Sequence, residues 1–315
     1  MTIYRAPWWL PGGHAQTILP SLRPPARIAL TRERWDTPDG DFIDVDFAGA
    51  PSPVTLALFH GLEGSSDSHY ARAFAAHALE RGWRIALPHF RGCSGVPNRL
   101  PRAYHSGDSA EIDWILSRLA AREGSTLYAA GVSLGGNALL KWLGERGATA
   151  GRLIRRAAAI SAPIDLTAAG HALDRGFNRQ VYARAFLATL KPKALALLAR
   201  FPGLLDAARV RAASTMYEFD DAVTAPLHGF RDADDYWSRA SSAPGLAEIR
   251  VPTLVLNARN DPFLPEAALD AATQAASREV LLLRPSQGGH VGFMQSPFPG
   301  RHGWLPRRVL DFLAA

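Results

Sequence analysis

Short apolar runs alternate along the chain with longer stretches in which apolar side chains recur every three or four positions. Runs of the first kind suit buried strands and stretches of the second suit amphipathic helices, and their alternation is the pattern of a largely parallel sheet wrapped by helices. Strands are predicted at 54–59, 84–87, 126–130, 156–160, 253–256 and 280–283. Ahead of them Asp39-Gly40 is a hairpin signal. The segment after it places Ile43, Val45 and Phe47 on one face, so an antiparallel edge hairpin is expected to open the sheet. Helices are predicted over 70–80, 109–121 and 305–313. Between Ile160 and Val251 the rhythm changes: no strand is evident, and helical pieces are punctuated by Pro192, Pro202-Gly203 and Pro226. The reading is an α/β core domain formed by residues 1–165 and 241–315, with a helical cap inserted at 166–240.

Composition narrows the function classes. With 315 residues, 47% of them apolar and 20% charged, the chain can bury a sizeable core and is not disordered. A net charge of +6 raises the question of nucleic acid, but only Lys141, Lys191 and Lys193 of the 35 basic residues are lysines. An arginine excess beside abundant alanine fits the codon usage of a GC-rich genome, and no tract interleaves basic with aromatic residues. No nucleic-acid partner is expected, and no obligate protein partner is inferred. A single cysteine, Cys93, excludes an intramolecular disulfide and a cysteine-based zinc cluster. The N-terminus lacks the apolar run of a signal peptide, and no stretch of about twenty apolar residues suggests a membrane-spanning helix. A soluble, cytoplasmic protein is the simplest expectation.

The chemistry centres on Gly131-Val132-Ser133-Leu134-Gly135. This G-x-S-x-G pattern directly follows a predicted strand and precedes a plausible helix, the context in which a sharp elbow exposes a serine hydroxyl above a sheet. A serine needs a base to accept its proton, and the base needs an acid to fix its tautomer. Asp261, in Asn260-Asp261-Pro262, lies just past the strand at 253–256. His290, after Gly288-Gly289, lies just past the strand at 280–283. Both fall at carboxyl ends of successive strands, where such sheets place their ligand sites. Competing residues fit less well: His171, His228, Asp220 and Asp221 lie in the cap, and His302 is followed by the terminal helix. An oxyanion needs two backbone donors. The amides of Leu134 and of Leu62, within His60-Gly61-Leu62-Glu63-Gly64, are the best candidates. His60 beside Gly61 is read as a support for that loop, not as the base.

Seven segments in order resemble the YheT-like branch of the α/β-hydrolases, which includes bacterial predicted esterases, yeast medium-chain ethyl-ester synthases and animal lipid hydrolases. They are Gly13-His14-Ala15-Gln16-Thr17, His60-Gly61-Leu62-Glu63-Gly64-Ser65-Ser66, Phe90-Arg91-Gly92-Cys93-Ser94-Gly95 and Tyr104-His105-Ser106-Gly107-Asp108. The series continues with Ser133-Leu134-Gly135-Gly136-Asn137, Asn260-Asp261-Pro262-Phe263 and Gly289-His290-Val291-Gly292-Phe293. The resemblance implies an α/β-hydrolase fold and the same triad. Unlike the animal members, the protein is expected to lack a membrane segment ahead of this core. The activity expected is hydrolysis of carboxylic esters with short- to medium-chain acyl groups, on a small acyl ester or lipid, with no metal or organic cofactor. The alternatives are transfer of the acyl group to an alcohol and, from a different class, a non-catalytic ligand-binding module.

Other residues carry weaker signals. His14 and Gln16 sit in a Pro/Gly-rich arm that predicts no regular structure, and packing or hydrogen bonding is favoured over lining an acyl pocket. Cys93 is read as a small buried thiol, and Asp108 as a cap for the helix after it. From Arg175 to Arg211 eight basic residues face one acid, Asp206, a net +7. A solvated face is favoured over weak membrane-surface contact through this basic cap.

Overall fold

The computed structural model describes residues 3–123 and 126–315. Among them eight strands are found: β1 (Thr31–Asp36), β2 (Phe42–Ala48), β3 (Val54–Phe59), β4 (Arg84–Pro88), β5 (Thr126–Val132), β6 (Arg156–Ile160), β7 (Thr253–Leu256) and β8 (Val280–Leu283). They form one sheet in the order β1-β2-β4-β3-β5-β6-β7-β8. The β1–β2 and β2–β4 pairings are antiparallel; the rest are parallel. The α/β-hydrolase architecture expected from the sequence is therefore present, with the predicted strands β3, β6, β7 and β8 at the expected residues.

The opening hairpin differs from expectation in one respect. Its first arm, β1, is the sheet edge, whereas β2 lies inside and is buried along its whole length. The face of β2 opposite Ile43, Val45 and Phe47 carries Asp44 and Asp46. Directly across the strand pair stand Arg34 and Arg32, which hold these carboxylates at 2.8 and 2.7 Å. Ser66 and His89 also engage Asp46, so the buried charges are paired and hydrogen-bonded.

The chain enters through an N-terminal helix, α1 (Gly12–Leu22), and later helices cover both faces of the sheet. On one side α2 (His69–Glu80) and the C-terminal helix Trp304–Ala314 pack on Leu56, Leu58 and Ile85. On the other, α3 (Ser109–Glu123) and α4 (Leu134–Arg146) pack on Ala57, Phe59 and Ala129. Helix α1 is a correction, because its Pro/Gly-rich sequence predicts no regular structure. No side chain caps its start. What holds it is tertiary: Gln16 is fully buried and Thr17 nearly so, both bonded to distant loops. Local propensity is a weak prior that such contacts override.

Between β6 and β7 the described residues contain helices and no strand, including Leu166–Leu173, Arg184–Arg200, Ala207–Ala212 and Ala233–Ala240. This segment has an apolar cluster of its own around Leu187, Leu190, Val210, Phe219 and Val223. Pro192 does not break it: the helix Arg184–Arg200 runs through that position, which is exposed. No helix among the described residues is long and apolar enough to cross a membrane.

Candidate active site

Strand β5 runs straight into Ser133, and α4 begins at the next residue. Ser133 has φ +52° and ψ −119°, a strained conformation for a residue with a side chain. Its amide donates to the Ile160 carbonyl at 2.8 Å, which anchors the elbow to β6. The spacing of the motif follows from close packing. A Cβ at Gly135 would lie 2.5 Å from the His60 carbonyl oxygen, and one at Gly131 would collide with the carbonyl of Gly135.

The structure brings the three sequence-selected side chains together. His290 Nε2 lies 2.9 Å from Ser133 Oγ, and His290 Nδ1 lies 2.8 Å from Asp261 Oδ2. Asp261 has no side-chain exposure and His290 has 11%. The other Asp261 oxygen accepts the Phe263 amide at 2.9 Å, so the carboxylate is fixed from both ends. A carboxylate accepts only, which puts the proton on Nδ1 and leaves Nε2 free to accept from the serine hydroxyl. The Phe263 ring packs on the imidazole with centroids 4.3 Å apart. The competitors have other partners: His302 bonds the Arg23 carbonyl, His171 packs on Trp237, His228 on His105, and Asp221 pairs with Arg209. Asp220 is bound by Thr224 and Trp237, and burial pushes its carboxyl up to about 6.

The loop carrying His290 is braced by residues whose importance had no signal beyond their presence in a shared motif. Gln16 Oε1 accepts from the Gly288 amide at 2.8 Å and from Asn260 Nδ2 at 3.0 Å. Asn260 Oδ1 in turn accepts from the Gly289 amide at 3.0 Å. Thr17 Oγ1 accepts the amide of His290 itself. Gly289 has φ +59° and lies against the α1 backbone, so no side chain fits there. Gln16 thus hydrogen-bonds the loop from behind. His14 bonds Tyr182 Oη at 3.1 Å, and neither residue lines the cavity beside Ser133.

Leu62 and Leu134 line the same cavity as Ser133. Leu134 is the first residue of α4, where an amide has no helical carbonyl to bind. The loop around Leu62 is held at several points. Gly64 closes a turn on Gly61, and Gly61 donates to Tyr70 Oη at 2.9 Å. Glu63, at φ +55°, donates its amide to Tyr104 Oη at 2.8 Å, and its carboxylate accepts from Tyr104 and from Lys193. His60 Nε2 accepts the Phe90 amide at 3.0 Å, so Nδ1 carries the proton and donates to the Gly61 carbonyl. Burial pushes the imidazole down to about 3, leaving it neutral and structural.

The cavity above Ser133 has a volume of about 440 Å³. Leu166, Leu173, Phe186, Leu190, Phe219 and Trp237 from the segment after β6 form much of its wall. Cys93 is half-buried, and burial pushes its thiol up to about 12, so it is not a thiolate. Asp108 differs from the helix cap expected of its side chain: both carboxylate oxygens accept from Arg102. The basic stretch is largely engaged within the molecule. Lys193 pairs with Glu63 and Arg209 with Asp221, while Lys191 and Arg200 donate to backbone carbonyls.

Comparison with known proteins agrees with the fold. The family model described as alpha/beta hydrolase fold matches residues 54–297. YheT of Escherichia coli (strain K12), which carries the name of an esterase, is 38% identical over 308 residues, covering 95% of this chain and 89% of its own. Human phospholipase ABHD3 is 27% identical over 98% of this chain and 77% of its own. Among solved structures, the esterase Pf2001 of Pyrococcus furiosus superposes with a TM-score of 0.58 at 16% identity, covering 93% of this chain and 98% of that one. At that identity the likeness concerns the fold alone. From the family match and the near-complete alignment with YheT, the chain belongs to the α/β-hydrolase family, in its YheT-like branch.

Proposed function

We propose that the protein is a serine hydrolase that cleaves carboxylic esters of short- to medium-chain acyl groups through an acyl-enzyme on Ser133. The observation that carries this reading is the continuous chain Ser133 Oγ–His290 Nε2 (2.9 Å) and His290 Nδ1–Asp261 Oδ2 (2.8 Å), opening onto a largely apolar cavity. Ser133 Oγ attacks the ester carbonyl as its proton passes to His290 Nε2. Asp261 stabilises the imidazolium and holds the ring in register. The amides of Leu62 and Leu134 receive the oxyanion, collapse expels the alcohol, and His290 returns the proton to it. Water, deprotonated by the same imidazole, then releases the acid and restores Ser133.

The cavity, about 440 Å³, falls within the ~300–1,000 Å³ of small-molecule pockets. Residues 166–240 act as a cap, a role supported by the leucines and aromatic rings they contribute to the wall around Ser133. The names of YheT and ABHD3, an esterase and a phospholipase, support an ester substrate. The test is labelling with a fluorophosphonate, followed by a chain-length series of p-nitrophenyl esters. Ser133→Ala should abolish labelling and lower kcat by about 10⁴–10⁶-fold. Full labelling of that variant would mean that another serine is the nucleophile.

A further inference from the structure

The largest side-chain exposures of apolar residues gather away from the cavity, on two segments that meet at the back of the His290 loop. Trp8 is 91% exposed, Leu22, at the end of α1, 70%, and Phe298 64%. Contacts made by their chain neighbours Trp9 and Arg23 tie the two segments together at Phe298. The Trp9 and Phe298 rings lie 5.4 Å apart, and the Arg23 guanidinium sits 5.1 Å from the Phe298 centroid. His302 Nε2 donates to the Arg23 carbonyl at 2.7 Å, and Gln295 bridges Arg301. Single exposed apolar residues are ordinary, but a cluster of tryptophan, phenylalanine and leucine is not.

Charge gives the patch a sign. Residues 3–30 and 285–303 contain Arg5, Arg23, Arg27 and Arg301 and no acid at all. Arg27 faces Asp67, while among the described residues no acid pairs with Arg5, Arg23 or Arg301. A second copy of the chain would bring this cationic patch against itself, because a two-fold interface pairs like with like. Tryptophan and phenylalanine rimmed by arginine match instead the boundary between lipid headgroups and acyl chains.

We propose that this patch, formed by Trp8, Trp9, Leu22, Phe298 and the surrounding arginines, seats the protein on an anionic phospholipid surface. The same segments brace the His290 loop: Tyr4 Oη donates to the Met294 carbonyl at 2.8 Å, and the Ala6 amide donates to Gln287 Oε1 at 3.1 Å. The patch shares no residue with the basic stretch at 175–211, although His14 of α1 packs on Phe177 and Tyr182 of that stretch, and binding does not depend on Ser133 being a nucleophile.

The experiment is cosedimentation of the full chain with vesicles of equimolar phosphatidylglycerol and phosphatidylcholine, against pure phosphatidylcholine, at low and high salt. The wild type and Ser133→Ala should both pellet with the anionic vesicles at low salt and dissociate as salt screens the arginines. Replacing Arg5, Arg23 and Arg301 together with glutamine should weaken binding about 100-fold. The double variant Trp8→Ala/Phe298→Ala should lose most of it while hydrolysing a soluble short ester like the wild type. Arg175→Gln/Arg184→Gln should bind as the wild type does. Absence of wild-type binding, or binding indifferent to the patch variants, overturns the proposal. So does loss of binding in Arg175→Gln/Arg184→Gln alone, or a sedimentation-velocity dimer that Trp8→Ala disrupts, which would make the occupant a second copy.

Discussion

The backbone amide of His290 donates to Thr17 Oγ1 at 2.9 Å, across 273 residues of sequence. Thr17 donates in turn to the Gly13 carbonyl at 2.7 Å, so the imidazole rests on the first turns of α1. Thr17→Val keeps the shape but leaves a part-buried amide without its acceptor, a cost of about 1–3 kcal/mol. We expect a lower Tm and a kcat reduced roughly 10-fold by the looser ring position. Thr17→Ser should recover both. An unchanged kcat in Thr17→Val would show that Asp261 alone positions His290.

Asp261→Asn should leave the fold intact and lower kcat by about 10⁴-fold, because an amide nitrogen facing Nδ1 favours the wrong tautomer. The far-ultraviolet circular dichroism spectrum checks the fold and a soluble p-nitrophenyl ester the rate. A comparable loss in Asp221→Asn, with Asp261→Asn active, would move the acid to the segment after β6.

Glycine substitutions should separate close packing from mere flexibility. A Cβ at Gly135 meets backbone atoms of His60 and Phe59, none of which can move without displacing β3. Gly135→Ala should therefore yield little folded protein or lose several kcal/mol, as overpacking does at about 1–3 kcal/mol or more. At Gly151 the nearest atom is a Val251 methyl carbon at 3.9 Å, so Gly151→Ala should stay within about 0.5 kcal/mol of the wild type. Chemical denaturation of the two variants decides. Equal stability would mean that the elbow tolerates a side chain.

Acid stability should be limited by histidines. Burial pushes His60 and His228 down to about 3, and His69 and His105 down to about 4, from an ordinary 6.5. Unfolded, each ring takes up a proton near pH 6.5 that the folded protein refuses until pH 3–4. Their contribution is complete above 6.5 and is lost as pH falls below it. Glu111 and Asp220 oppose this: burial holds their carboxyls up to about 7 and about 6, so the folded state keeps protons that the unfolded chain releases. Four imidazoles outweigh two carboxyls, so Tm should fall between pH 6.5 and 4. Calorimetry across that range is the check, and a flat or rising Tm would contradict it.

Much of the fold was legible in the sequence because its information is local. Parallel strands buried on both faces must be short apolar runs, and the residues of β3, β6 and β7 could be read directly; β8 was legible from its apolar run too, although it is an edge strand with Leu281 and Leu282 exposed. The order of Ser133, Asp261 and His290, each just past a strand, was legible for the same reason: loop chemistry follows strand ends. What the tertiary structure decided was everything that depends on partners far along the chain. Asp44 and Asp46 look like a solvated strand face until Arg34 and Arg32 arrive opposite them in β1. The Pro/Gly-rich start of α1 has no local reason to be helical, and becomes so because Gln16 and Thr17 are bound by loops more than 240 residues away. The +7 of residues 175–211 is a sequence fact, but its destination is set by Glu63, Asp221 and backbone carbonyls that only folding brings within reach. Periodicity records which side of an element is apolar; hydrogen bonds and ion pairs need two addresses, and a single stretch of sequence holds one.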